Sequence, residues 1–307
     1  MTWLAWRQLR ANALFAAAAA TAVVVVLALT REHIERHAGS GDLSTGYESL
    51  RLLGTGLVGM PAFIGAFWGA PLLARELEAG THRLAWTQGV TRRRWLATKL
   101  AVAGVTAAVF TAVFSLVFTW WSLPFDRLGN RIGTANFGQR GVAPIAYTVF
   151  ALALGALAGA VLRRTLPAMA TTLVGFFVVR FAFQWIVRPR LIAPVALTLP
   201  NHSFGQRVGE TSSYGGWIMS SSTVDGSGHV LTASQVDRLL VDSCSLGRDS
   251  SADAWEACAH RVGLRDLVKI HPADHFWTLQ AWESACFLLI AAALAFACFW
   301  WVRHRTA

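Results

Sequence analysis

Two histidines and a carboxylate near the end of the chain have a spacing that metal sites use. In the segment His-Pro-Ala-Asp-His, His271 and His275 stand four residues apart, with Asp274 between them. On a helix the two imidazoles would share one face and could bind a metal ion. The alternative is that Pro272 starts a helix and His275 lies at a membrane surface. We expect this alternative, and therefore no metal site. The absence of a His-Glu-x-x-His pattern also argues against a membrane protease.

Nucleotide hydrolysis of the common kind would require a lysine in a Walker A loop, G-x-x-x-x-G-K-[ST]. The only lysines are Lys99, which precedes Leu100, and Lys269, which precedes Ile270. Neither stands in such a loop. We therefore predict that the chain is not an enzyme, has no catalytic residue and binds no cofactor of its own.

The elements that must position these residues are strongly apolar. Hydrophobic residues make up 54% of the 307 residues and charged residues 14%, against roughly 25% charged in soluble domains. A helix that crosses a bilayer needs about 20 apolar residues. Six segments approach that length: residues 13–29, 52–74, 100–122, 142–162, 167–187 and 280–302. We predict an all-α polytopic membrane protein with six transmembrane helices in lipid.

The net charge of +10 does not indicate nucleic-acid binding, because the arginines lie mostly at the ends of these segments.

Arginine and lysine counts predict the orientation. The short flanks on one side carry twelve of these residues and those on the other side six. Cytoplasmic loops carry the excess, so both termini and residues 75–99 are predicted to be cytoplasmic in a bacterial plasma membrane. Residues 1–12 are predicted to form an interfacial helix. The chain then divides into residues 1–187 with five transmembrane helices, an extracytoplasmic loop domain at 188–279, and a last helix with a cytoplasmic tail at 280–307.

Two pairs of side chains are predicted to bond. Cys244 and Cys258 both fall in the loop domain, on the oxidising side, and are predicted to form a disulfide. Arg180 and Glu283 are the single charges of the fifth and sixth segments. Their depths below the outer surface differ by about one helical turn, which an arginine side chain can cover. We predict that they pair, although Arg180 could instead reach the outer surface alone.

Small residues predict where helices touch. Gly65-x-x-x-Gly69 in the second segment and Gly155-x-x-x-Gly159 in the fourth would allow close contact between helix backbones.

Residues 75–99, RELEAGTHRLAWTQGVTRRRWLATK, form the one long charged segment between two apolar ones. Gly80 suits the end of a helix, and Thr81 and Thr91 are each placed to cap the start of one. We predict a helix that leaves the membrane, a short surface helix at 82–87, and a helix that returns. The alternative is a solvated loop whose arginines only fix the topology.

This segment resembles the cytoplasmic loop of permease subunits of ABC exporters of the type-2 class, and the run P-A-D-H-F-W-T-L-Q-A-W-E resembles the lead-in to the last span in actinobacterial members of that family. That loop begins R-E-x-E-x-G-T and continues through a leucine and a V-[ST]-R step to a closing lysine. The order of hydrophobic segments extends the likeness over the whole chain. One departure is Gly89, where the family often has proline, so the turn is expected to be less rigid. The matching positions are Arg75, Glu76, Glu78, Gly80, Thr81, Leu84, Val90, Thr91, Arg92 and Lys99.

The resemblance implies a partner and a mechanism. In that family the loop forms a coupling helix that docks on a separate ATP-binding subunit, which binds ATP and magnesium. A second permease subunit completes a homo- or heterodimer that exports an amphipathic or hydrophobic substrate, here unidentified. The second and fifth spans line the pathway. The candidate pathway residues are Thr55, Met60, Phe63, Phe67, Phe177, Arg180 and Gln184.

Two other functions fit a polytopic chain with an outer loop. One is a membrane-bound sensor or immunity scaffold whose outer loop binds a ligand. The other is an intramembrane metalloenzyme that uses His271, Asp274 and His275.

Overall fold

The computed structural model describes residues 21–31, 57–81, 91–126, 132, 137–200, 216–245 and 250–305. The chain divides into two compact units. The first comprises Met1–Pro124, Ala135–Leu191 and Trp277–Ala307, and the second comprises Phe125–Thr134 and Ile192–Phe276.

The elements follow one another in this order. They are α1 (Thr21–Arg31), α2 (Met60–Ile64), a π-helix (Gly65–Gly69), α3 (Ala70–Glu78), α4 (Arg92–Asp126), α5 (Ala143–Leu162), α6 (Thr165–Ala182), a π-helix (Phe183–Val187), a 3₁₀ turn (Arg188–Arg190), β1 (Val195–Pro200), β2 (Trp217–Val224), β3 (Val230–Leu231), α7 (Ala233–Cys244), α8 (Ala252–Val262), β4 (Arg265–His271), a 3₁₀ turn (Ala273–His275) and α9 (Phe276–His304).

Four helical segments of the described residues are long and apolar enough to cross a membrane. They are Arg92–Leu123, Ala143–Leu162, Thr165–Arg190 and Ala273–His304. These segments correspond to the third to sixth predicted spans. The first two predicted spans run into residues outside the described ranges, as does the predicted interfacial helix at 1–12. Six spans therefore stay a prediction.

Glycines bring the helices α2 and α3, with the π-helix between them, against α5. A Cβ added at Gly155 would lie 2.3 Å from the carbonyl oxygen of Gly65, and one at Gly159 would lie 2.5 Å from that of Ala70. A Cβ at Gly65 would lie 2.5 Å from the carbonyl oxygen of Ala151. Since no side chain fits between these backbones, the two helices touch directly, as the glycine spacing predicts.

The second unit corrects the all-α prediction, because it contains an antiparallel sheet in the order β1-β4-β2-β3. Val268 and Ile270 of β4 pack with Ile218 of β2, and the alternation of apolar residues along β4 is typical of a strand. The sheet was missed because β1 pairs with a strand about 70 residues later, which no local pattern reveals. The longer part of the unit begins at Ile192, and residues 188–190 form a 3₁₀ turn that follows the preceding π-helix.

A disulfide joins α7 to α8 in the second unit. Cys244 and Cys258 are bonded, with their Cα atoms 6.2 Å apart. Around them lies a small core that includes Leu240, Ala259 and Leu264.

Candidate functional site

An ion pair closes the base of the charged loop 75–99. Glu76 Oε1 lies 2.5 Å from Lys99 Nζ. Lys99 is only 6% exposed, donates a hydrogen bond to the carbonyl oxygen of Leu72 and lies over the ring of Trp95. Because Glu76 stands on α3 and Lys99 on α4, the pair joins the two helices from which the loop emerges. Both predicted coupling residues are therefore engaged within the chain.

Glu78 joins the same loop to α6. Its Oε2 accepts hydrogen bonds from the backbone N–H of Thr165 at 3.0 Å and from Thr165 Oγ1 at 2.8 Å. The carboxylate thus satisfies one of the N–H groups that a helix start leaves without an intrahelical partner. The hydrogen bonds from the Thr165 side chain and backbone lower the pKa of the Glu78 carboxyl, and Arg164 adds to this effect.

The two ends of the loop follow the predicted capping. Gly80 has φ of +69°, the left-handed conformation that ends a helix without a Cβ clash. Thr91 Oγ1 accepts a hydrogen bond from the backbone N–H of Arg94 at the start of α4. Among the other predicted coupling residues, Arg75 and Thr81 are exposed and Arg92 is half-buried, while Leu84, Val90 and the predicted helix at 82–87 lie outside the described residues.

A buried carboxylate, Glu283 on α9, is the centre of an ionic cluster in the first unit. Arg188 donates to it twice, from Nε to Oε2 at 2.7 Å and from Nη2 to Oε1 at 2.8 Å. Glu283 is 0% exposed and Arg188 is 1% exposed. The planar guanidinium matches both carboxylate oxygens, which is the strongest arrangement such a pair can adopt.

Arg180 and Tyr147 complete the cluster. Arg180 Nη1 lies 3.5 Å from Glu283 Oε1, so the predicted pair is a close contact with no hydrogen bond at this nitrogen within the described residues. The guanidinium of Arg180 stacks over the Tyr147 ring at 4.4 Å, and Tyr147 Oη donates to Glu283 Oε1 at 2.5 Å. Two buried guanidiniums therefore share one carboxylate. The ring face of Tyr147 compensates the charge of Arg180 in part, while its phenol stabilises the carboxylate.

The π-helix Phe183–Val187 explains how both arginines reach Glu283. In a regular α-helix, residues eight apart lie about 12 Å apart along the axis and differ by about 80° around it. The wider π turn and the following 3₁₀ turn change that geometry between Arg180 and Arg188. Arg188 was missed because Pro189 follows it, and a proline indicates a helix end.

Gln280 supports the cluster one turn away on α9. Its Oε1 accepts from the backbone N–H groups of Val142 at 3.1 Å and Ala143 at 2.7 Å, which cap the start of α5. Its Nε2 donates to the carbonyl oxygen of Phe137 at 2.8 Å. A glutamine at the start of an apolar segment does not by itself indicate this role.

The predicted pathway residues fall into two groups. Phe63 and Phe67 are about half exposed and stack on each other, and half-buried Phe177 stacks on Phe181. A Cβ added at Gly59 would lie 3.3 Å from Phe63 and 3.6 Å from Phe177, so the two stacks flank one glycine. The remaining residues stand apart from this aromatic stripe: Arg180 and Gln184 are buried, Met60 is half-buried, and Thr55 lies outside the described residues.

The two histidines that the sequence analysis considered as metal ligands lie beside each other in the second unit. His271 Nδ1 lies 3.4 Å from His275 Nδ1, and His271 is buried beside Trp217. Over the part of the chain that the structure describes, no three His, Cys, Asp or Glu residues are grouped closely enough to hold a metal ion.

Comparison with known proteins gives one family. No curated protein and no solved structure is significantly similar to the chain. The model of the family described as ABC-2 membrane transporter related matches residues 1–188. That range holds the charged loop, α5 and the helix that carries Arg180 and Arg188, and it covers more than half of the sequence. On this match, the chain belongs to the ABC-2 membrane transporter related family.

Proposed function

We propose that the chain is the membrane-spanning permease subunit of an ATP-driven ABC exporter. The observation that supports the proposal is the loop 75–99, whose base is held by the ion pair of Glu76 and the hydrogen bonds of Glu78. This loop lies inside the range that matches the family. Glu76 ties the start of the loop to α4, and Glu78 ties it to α6. A loop held at its base in this way can pass a displacement to two membrane helices at once, which is what a docking site for an ATPase requires.

The partner supplies the energy in this proposal. A separate ATP-binding subunit binds ATP and magnesium, docks on the loop and moves it when it closes around the nucleotide. A second permease subunit completes the dimer. The stripe of Phe63, Phe67, Phe177 and Phe181 would line the route of an amphipathic or hydrophobic substrate, because these rings are apolar and only partly covered within one chain.

The experiment is co-expression of the full chain with the ATP-binding subunit encoded nearest to it. We expect the two to co-purify and the chain to change the ATPase rate. Leu84→Asp, at the predicted docking surface, should prevent co-purification. Ser227→Asp, an exposed turn position of the second unit, is the matched control. Failure of the unmodified chain to bind or affect the ATPase would contradict the proposal.

The loop contacts make a sharper test possible. Glu76→Ala and Glu78→Ala should reduce the effect of the chain on ATPase activity while leaving membrane insertion intact. Because Glu78 acts through Thr165, Thr165→Ala should reproduce the defect of Glu78→Ala, and Thr165→Ser should restore most of the effect. Unchanged coupling in all of these variants would indicate a solvated loop with no coupling role.

A further inference from the structure

Arginines from three helices meet at the C-terminus of α9. Arg163, at the end of α5, donates from Nη2 to the carbonyl oxygen of Arg305 at 2.6 Å. Arg92, at the start of α4, donates from Nη1 to the carbonyl oxygen of Arg303 at 3.5 Å. The last carbonyls of a helix have no intrahelical partner and carry partial negative charge, which explains these two contacts. The backbone carbonyl groups of Arg303 and Arg305 therefore bind the guanidinium groups of Arg92 and Arg163. The side chains of Arg303 and Arg305 add two further guanidinium groups at this helix end.

The charge at this end of the unit is strongly unbalanced. Residues 70–81, 91–99, 156–168 and 298–305 contain nine Lys and Arg but only two carboxylates, Glu76 and Glu78. Glu76 pairs with Lys99, and Glu78 caps the helix at Thr165. Both carboxylates therefore already have partners. The remaining like charges repel one another unless an anion lies between them.

The surroundings of these arginines suit a lipid. The ends of α3, α4, α5 and α9 pack into one apolar cluster that includes Leu73, Trp95 and Val302. Beside it Trp300 is 47% exposed and lies against Trp301. Tryptophan is typical of the depth at which headgroups meet acyl chains. A ligand at this place would meet guanidiniums at one end and an apolar, aromatic surface at the other.

We propose that Arg163 and Arg305 form a binding site for the phosphate of an anionic phospholipid of the phosphatidylglycerol or cardiolipin class. Basic groups between the ends of transmembrane helices bind such headgroups, and guanidinium pairs well with phosphate oxygens. The site lies beside the loop that the ATPase is proposed to bind, because Arg92 of that loop contacts the same end of α9, but it does not depend on that proposal. Arginines that only fixed the topology would attract lipid diffusely, without regard to which arginine is removed.

The backbone at Arg163 provides a variant that should fold. Arg163 has φ of +52°, a left-handed conformation that costs a non-glycine residue free energy and that glycine adopts freely. Arg163→Gly therefore removes the guanidinium and relieves the backbone. Loss of lipid in this variant would not result from a strained fold.

The experiment is native mass spectrometry of the full chain in mild detergent, titrated with phosphatidylglycerol and, in parallel, phosphatidylcholine. Arg163→Gly combined with Arg305→Gln should reduce retained phosphatidylglycerol about 25-fold, since each of the two basic groups near a headgroup contributes roughly a factor of five. Arg93→Gln combined with Arg94→Gln removes the same charge from exposed positions and should change retention less than about twofold. If the first pair fails to fold, Arg163→Gly alone should still lower retention.

Several results would overturn the site. Equal losses in the two double variants would show diffuse attraction, and equal retention of the two lipids would show no headgroup recognition. Displacement of the lipid by millimolar inorganic phosphate would show a free-phosphate site. Displacement by the bound ATP-binding subunit would show that this surface belongs to the protein partner.

Discussion

At the scale of single residues, Glu283 determines how three membrane helices meet. It accepts hydrogen bonds from Tyr147 on α5 and from Arg188 beyond α6, and Arg180 lies against it. A buried ion pair contributes little net stability compared with apolar packing, but removing one partner leaves a charge without compensation. The two arginines should therefore differ sharply in what their removal costs.

Arg188→Ala should destabilise the protein more than Arg180→Ala. The first change removes both hydrogen bonds that Arg188 donates to the carboxylate and leaves the one from Tyr147, while the second leaves Glu283 and Arg188 as a neutral pair. Breaking a buried pair costs about 3–5 kcal/mol in soluble proteins, and polar contacts between membrane helices are weaker. We expect a loss of about 1–3 kcal/mol for Arg188→Ala.

Thermal unfolding in detergent measures the difference. Arg190→Ala, at an exposed position two residues further on, serves as the control and should be close to the unmodified protein. A larger loss for Arg180→Ala than for Arg188→Ala would show that Arg180 is the main partner of the carboxylate.

Glu78 should make stability depend on pH. Its pKa in the folded chain is lowered, so its cap is fully formed above the ordinary carboxyl pKa, about 4.3, and is lost as the pH falls through the lower folded value. Glu78→Gln lacks this titration. The unfolding temperature of the unmodified protein should exceed that of Glu78→Gln at pH 7, and the gap should close below about pH 4. A gap that is constant from pH 7 to pH 3 would exclude the charged cap.

Sequence alone brought Arg180 and Glu283 together, because two lone charges in apolar segments can be counted to depths about one helical turn apart, which an arginine side chain covers. It did not find Arg188, because a proline next to it indicates a helix end and the π-helix has no sequence signature. The capping roles of Gly80 and Thr91, in contrast, were predictable from the local sequence. Each acts on its own backbone or on one three residues away, so the local pattern contains the whole interaction.

At the scale of elements, the glycines decide how closely α5 approaches its neighbour. A Cβ at Gly155 would meet the Gly65 carbonyl at 2.3 Å, a contact that only a shift of backbone could relieve. This packing was predictable because four-residue spacing defines a helix face. The sheet of the second unit was not, since its strand pairs join residues far apart in sequence.

Gly155→Ala should destabilise the first unit by about 1–3 kcal/mol, the usual cost of overpacking. Gly104→Ala is the matched control, because a Cβ at Gly104 meets nothing within 4 Å and alanine favours the helix. Unfolding temperatures of the two variants in the same detergent provide the comparison. If Gly155→Ala were as stable as Gly104→Ala, the close contact between these helices would be wrong.

At the scale of the whole molecule, the four apolar helices determine on which side of the membrane residues 81 and 305 lie. Helices Arg92–Leu123, Ala143–Leu162, Thr165–Arg190 and Ala273–His304 would carry the chain across the membrane four times. Residues 81 and 305 then lie on one side, and the turn at Ser227 lies on the other. The first two predicted spans decide only where the residues before 57 are placed.

Cysteine labelling can therefore test the second predicted span and the orientation of the chain. With Cys286 and Cys298 replaced by alanine, the remaining cysteines are the disulfide-bonded pair 244 and 258. Single cysteines are placed at Ser40, Thr81, Ser227 and Arg305 and treated with a membrane-impermeant maleimide on intact cells. Six crossings predict labelling at positions 40 and 227 and protection at 81 and 305 until the membrane is opened. Protection of Ser40→Cys together with Thr81→Cys would mean that the second predicted span, residues 52–74, does not cross the membrane. The reverse pattern at all four positions would invert the predicted orientation.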